Sequence, residues 1–234
     1  MGNTEMERDG KMEQIKISVR TLVEFLLRSG DIDNRRKAAA QKEAMQEGSR
    51  IHRKIQRSMG ASYRPEVSLK LERDCGAYTL LLEGRADGIV TEGGKVTVDE
   101  IKGTYRDVSR LTEPVPVHLA QAKCYACMYR LERTARKEKE QKRKEEESEG
   151  NWNGNMVPAI REYEDTIRVR MTYCNMDTEE IRYFHYEYTW KELELWFFDL
   201  IGQYRKWADM EFDWKQKRQD SIHRLSFPFP YRKG

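Results

Sequence analysis

Asp87, Glu100 and Lys102 are the residues with the most chemistry to offer. They stand in a stretch of β type: Glu83-Gly-Arg-Ala-Asp-Gly-Ile-Val, a turn at Gly93 and Gly94, then Lys95-Val-Thr-Val-Asp-Glu-Ile-Lys-Gly-Thr. Strand alternation puts Val96, Val98, Glu100 and Lys102 on one face and Thr97, Asp99 and Ile101 on the other. A valine stripe that ends in a carboxylate and an ammonium is costly unless the charges are paired or hold a cation. Asp87 and Glu100, on adjacent strands, are hard oxygen donors of the kind that suit Mg²⁺ or Mn²⁺. A lysine beside them would orient a water and stabilise charge developing on a phosphate. The plainer reading is a surface hairpin whose Glu–Lys pair is worth under about 1 kcal/mol. Spacing alone favours the plainer reading.

Three other positions draw notice, each weak by itself. His52 follows Gly48 by one helical turn, and a glycine inside a helix suggests that something packs close to it. Gln121 and Tyr125 are also one turn apart. Cys124 and Cys127 form a C-x-x-C pair, but in a strongly helical pattern, with Cys75 and Cys174 each about 50 residues away. Buried, inert thiols are the better reading than a metal knot.

The elements that must position these residues follow from periodicity. Ser18 is a natural N-cap for a helix over 19–28, and a second helix is expected over 38–59 beyond a basic loop at 34–37. Strands are predicted over 66–72, 78–83, 87–91 and 96–102, then a loop over 103–117. A helix opens near His118, with Leu119, Ala122, Ala126 and Tyr129 as its core stripe. Beyond residue 133 that helix becomes a run of Lys, Arg and Glu, read as a solvated extension, followed by a loop over 150–162. Two further strands, over 165–176 and 181–188, precede a helix opened by the Thr189-x-x-Glu192 capping box and running to about residue 220. This order predicts an α/β fold: a central mixed β-sheet flanked by helices. Residues 1–14 are expected to be a flexible tail, 15–222 a single domain, and 223–234 a C-terminal tail.

Composition narrows the setting. The chain of 234 residues sets 43 Lys and Arg against 40 Asp and Glu, a formal net charge of +3. No general affinity for polyanions follows, so any nucleic-acid binding must come from local patches. No apolar run reaches the roughly 18–20 residues needed to span a bilayer, which argues against a membrane partner. Four cysteines without a secretory signal suggest reduced thiols in a cytoplasmic setting.

Taken in order, Gly48-x-x-x-His52, Gly84-Arg-Ala-Asp87, Glu100-Ile-Lys102-Gly-Thr and Gln121-x-x-x-Tyr125 resemble the motif series of RecB-like nucleases in the PD-(D/E)XK superfamily. The resemblance spans about residues 45–130. It implies a central mixed sheet flanked by helices and cleavage of DNA with Mg²⁺ or Mn²⁺. It implies Asp87, Glu100, the Ile101 carbonyl and His52 as metal ligands, Lys102 as the catalytic lysine, and Gln121 and Tyr125 as residues that position DNA or the lysine end of the site. Ala86 stands where the superfamily has its naming proline, as is common in the RecB branch. Many relatives carry an iron–sulfur cluster on one cysteine near the N-terminal helices and three near the C-terminus. Here no cysteine precedes Cys75 or follows Cys174, so no cluster is expected. The segment Phe227-Pro-Phe-Pro-Tyr-Arg232 is similar to one that leads into the helicase core in DinG/XPD-type helicases with an N-terminal nuclease-like domain. The chain has no G-x-x-x-x-G-K-[ST] loop of its own, so a helicase partner in cis or in trans is the matching expectation. The alternative is a catalytically silent DNA-binding or interaction module on the same fold.

Overall fold

The computed structural model describes residues 13–29, 38–148 and 166–226. The basic loop at 34–37, the loop at 150–162 and the segment 227–232 lie outside the described residues. The elements are β1 (Glu13–Ser18), α1 (Val19–Leu27), α2 (Ala38–Ser58), β2 (Tyr63–Asp74), β3 (Tyr78–Glu92), β4 (Lys95–Thr104), α3 (Pro116–Ser148), β5 (Thr166–Asn175), β6 (Ile181–Thr189) and α4 (Trp190–His223). They form one mixed six-stranded sheet in the order β1-β3-β4-β5-β6, with β2 also paired to β3. β1–β3 and β4–β5 are parallel and the other pairs antiparallel. The expected α/β architecture is what the chain adopts.

Helices cover both faces of the sheet. The main core gathers Leu22 and Val23 of α1, Ala122 and Ala126 of α3, and Phe197 and Leu200 of α4 over Leu82, Val98 and Met171. A smaller cluster on the opposite face joins Ile51 and Ile55 of α2 to Ile101 and Cys174. The Ser18 cap forms as expected, its Oγ accepting from the Thr21 N–H at 3.0 Å. The Thr189–Glu192 capping box also forms, with both reciprocal bonds present. The Lys/Arg/Glu run continues α3 as a helix, its described side chains exposed from Thr134 onward. Among the described residues no helix is long and apolar enough to cross a membrane.

Three expectations change. The first strand starts at Glu13, inside the segment read as a tail. Ile15 and Ile17 alternate inward and pair with Leu80 and Leu82. The strands expected at 78–83 and 87–91 are one strand, β3, running straight through Gly84 and Gly88. Finally, a Cβ added at Gly48 would meet nothing within 4 Å, so the close packing expected there is absent on that side.

β3 explains where the site falls. One of its edges pairs with β2 along nearly its whole length. Its other edge pairs with β1 from Tyr78 to Glu83, and with β4 only from Gly88 onward. Residues 84–87 lie in the fork between, with no strand partner on that edge among the described residues. Alternation also inverts there. Leu80, Leu82 and Ala86 enter the main core, but beyond Asp87 it is Ile89 that does so, while Gly88 lies against Tyr63. Opposite the fork, Glu66 takes a φ of 54°, a left-handed conformation costly for a residue with a side chain.

Candidate active site

Asp87 sits in the fork, and its carboxylate does the work of the missing strand neighbour. Asp87 Oδ2 accepts from the Ile101 N–H at 2.7 Å. Helix α2 supplies the other contacts. Ile51 and Ile55 turn into the core, which puts His52 and Gln56, one turn apart, on the adjoining face. His52 Nδ1 is 3.3 Å from Asp87 Oδ1. Gln56 Nε2 donates to the Asp87 carbonyl and to Glu66 Oε1, each at 2.9 Å. Burial pulls the His52 imidazole down, but the Asp87 and Glu100 carboxylates outweigh it and its pKa is raised.

Glu100 and Lys102 lie under α3, close enough to Asp87 and His52 to feel their charge. Glu100 is 1% exposed. Its Oε1 is 2.7 Å from Lys102 Nζ, while its Oε2 is buried without a hydrogen-bond partner. Burial pushes the carboxyl up to about 7, with Asp87 adding to the shift and Lys102 opposing it. Lys102 Nζ also donates to Gln121 Oε1 at 3.1 Å, and Gln121 Nε2 donates to the Tyr125 hydroxyl at 3.2 Å. Tyr125 lies on β3 because residue 84 is glycine: a Cβ there would stand 2.6 Å from Tyr125 Cε1. The expected site residues thus form two short chains of contact. One is His52–Asp87–Ile101 N–H; the other is Glu100–Lys102–Gln121–Tyr125.

Two neighbours of this site escape sequence reasoning. Tyr173 stands opposite Lys102 in the parallel β4–β5 register. Its hydroxyl accepts from the Val115 N–H at 3.0 Å and lies 2.9 Å from His118 Nδ1. Burial and the Lys102 charge push His118 down to about 4, so its imidazole is neutral near pH 7. The second neighbour is Asp99, fully buried on the face opposite Glu100. Arg170 grips it with Nε at 2.9 Å and a terminal nitrogen at 2.8 Å; Thr172 Oγ1 donates at 2.6 Å and the Tyr63 hydroxyl at 3.1 Å. Neither arrangement has a local signal, since both depend on which strand lies beside β4. Cys124 and Cys127 are buried, and burial raises both thiols, in keeping with inert side chains.

Among the described residues no group of three or more His, Cys, Asp and Glu side chains is placed to hold a metal ion. The reason is local: Asp87 turns to His52 and Ile101, and Glu100 turns to Lys102. The donor chemistry nonetheless fits a hard cation. Asp87 and Glu100 are oxygen ligands, and the unpartnered Oε2 of Glu100 is a buried acceptor with its valence unspent. Mg²⁺ keeps several waters and takes one or two carboxylates from a protein, so two suffice.

Comparison with known proteins adds little. No family model and no curated protein matches the chain. A solved structure described as "Crystal structure of SSO0001" is similar in shape at 19% identity and a TM-score of 0.42, over 74% of this chain and 66% of that one. A likeness of that size speaks for neither the activity nor the family.

Proposed function

We propose that the chain is a Mg²⁺- or Mn²⁺-dependent deoxyribonuclease of the RecB-like PD-(D/E)XK kind, hydrolysing phosphodiester bonds in DNA repair or processing. The observation that carries the proposal is Glu100: a buried carboxylate, paired to a lysine on one oxygen and unsatisfied on the other. A structural carboxylate would have both oxygens satisfied.

Asp87 and Glu100, with His52 and the Ile101 carbonyl, would hold the cation. When bound, that ion would supply a Lewis acid for the phosphodiester and a more acidic water. The remaining work belongs to Lys102. Glu100 and Gln121 hold its ammonium from two sides, so its position is set before substrate arrives. An ammonium fixed in a poorly hydrated place stabilises charge growing on phosphate oxygens without reorganising. Gln121 and Tyr125 are 8% and 3% exposed, which favours positioning of the lysine over direct contact with DNA. A helicase in cis or in trans is the partner this reading proposes.

The test is cleavage of end-labelled single- and double-stranded DNA with Mn²⁺, comparing wild type with Asp87→Ala and Lys102→Ala. Both variants are expected to lose at least about a hundredfold in rate, the usual loss when a group that stabilises the transition state is removed. Equal residual cutting by all three proteins would show the assignment to be wrong. No heat of Mn²⁺ binding in calorimetry would favour the silent module instead.

A further inference from the structure

The molecule carries a second charged feature, away from Asp87 and Lys102. β2 pairs only with β3 among the described residues, so it is an edge strand, and α3 crosses beside it. Between them runs a cleft of two chambers that share Ser68, Leu69 and Glu132. The near chamber, about 570 Å³, opens at Gly84 and Arg85, the fork residues just before Asp87. The far chamber, about 580 Å³, is walled by Arg64 and Tyr129 and by the charged stretch of α3, where the cations Arg133, Arg136 and Lys137 outnumber the carboxylates Glu132 and Glu140.

The far chamber is built around one ring. The Arg64 guanidinium lies 5.6 Å from the Tyr129 ring centre and donates to its hydroxyl at 3.0 Å; the Arg133 guanidinium lies 5.8 Å from the same ring. Among the described residues neither Arg64 nor Arg133 has a carboxylate partner. The surrounding cations are spent otherwise: Arg136 pairs with Glu132 at 2.8 Å, and in the near chamber Arg85 pairs with Glu66 at 2.6 Å. Two guanidinium groups drawn to one tyrosine without an anion between them invite an anion, and a planar fork matches a phosphate. An aromatic ring between guanidinium groups, in a cleft whose near chamber reaches Gly84 and Arg85 on the strand that carries Asp87, is the setting in which single strands bind.

We propose that this cleft is a binding track for single-stranded DNA, with Arg64 and Arg133 gripping backbone phosphates several nucleotides from the bond to be cut. The proposal rests on the nuclease reading for its choice of ligand. Each chamber is of small-ligand size, which suits a few nucleotides of one strand and not a duplex. A substrate must then be long enough to reach from the fork at Asp87 to Tyr129, and short oligonucleotides forgo the grip.

The test measures binding, not cutting. Fluorescence anisotropy with a labelled 20-nucleotide single strand in EDTA, over about 50–200 mM salt, compares wild type with the Arg64→Ala/Arg133→Ala double variant. The expected result is an affinity loss of about tenfold or more, and a salt dependence shallower by about one unit of the log–log slope. The Arg64→Lys/Arg133→Lys variant keeps the charge and should restore most of the slope, which separates lost contacts from a damaged fold. A 4-nucleotide strand and a blunt duplex should bind wild type and the alanine variant alike. Wild-type affinity and slope for the 20-nucleotide strand in the alanine variant would overturn the proposal. So would equal competition by an acidic peptide of matched charge, which would make the cleft a protein-docking site. If the variant loses affinity while wild type cuts no DNA under any metal, the track stands and the nuclease reading fails. If wild type cuts and the variant binds and cuts normally, the reverse holds.

Discussion

Asp99 and Glu100 are neighbours in sequence and nearly identical in burial, yet the molecule treats them oppositely. Asp99 faces the α2 side of the sheet, where Arg170, Thr172 and Tyr63 satisfy both its oxygens. Glu100 faces α3, where Lys102 meets one oxygen and nothing meets the other. Burying a charge is tolerable when hydrogen bonds replace water, and costly when they do not. The Asp99 network is closed, and so reads as structure. The Glu100 side is left open, and on the proposed nuclease reading that open oxygen is where function has been set above stability.

Removing each residue in turn should separate the two roles. Asp99→Ala leaves Arg170, largely buried, without its counter-charge, and should cost about 3–5 kcal/mol in urea unfolding. A loss under about 1 kcal/mol would break the comparison, because Asp99 would then be no more structural than a surface group. Glu100→Gln should do the reverse. It keeps the shape and removes a desolvated charge, so the urea midpoint should hold or rise, while Mn²⁺-dependent cutting falls by at least about a hundredfold. Equal destabilisation by both substitutions would erase the distinction.

The neutral imidazole beside Lys102 provides a smaller test. His118 has its folded pKa depressed to about 4 from the ordinary 6.5. The unfolded chain therefore binds more protons than the folded one between those values. The stability that neutral His118 contributes is complete above about pH 6.5 and is lost as pH falls toward 4. The loss should be about 3 kcal/mol at most, and His118→Gln should flatten that part of the pH profile. An unchanged profile would mean that His118 is freely solvated and no part of the lysine's surroundings. The smallest effect is expected at Gly48→Ala. Open space around the added methyl predicts stabilisation of about 0.5–1 kcal/mol. Destabilisation would restore the close contact that the Gly48-x-x-x-His52 spacing first suggested.

These contrasts also mark what the sequence could reveal. Hairpin, caps and helix stripes depend on neighbours a few residues apart, and they were legible. The Thr189–Glu192 box and the Gly93-Gly94 turn formed as read. β1 was not legible, because only Ile15 and Ile17 carry its alternation and its partner is 65 residues away in the Glu13–Tyr78 register. The unity of β3 was hidden by Gly84, which looked like a break and instead makes room for Tyr125. The opposite faces of Asp99 and Glu100 followed from alternation. The depth of the Asp99 network did not, since Arg170 and Thr172 arrive on a parallel strand about 70 residues later.

The fork in β3 has a consequence for how the chain acquires its site. One prong needs β1, from the beginning of the described chain; the other needs β4, which lies against β5 from far downstream. Contacts so distant along the chain close slowly, after local helices and hairpins have formed. On a ribosome, α2 and the β3–β4 hairpin emerge before Tyr173 and the rest of β5, so Lys102 reaches its final surroundings only after residue 175 is out. The candidate site is then among the last features to mature.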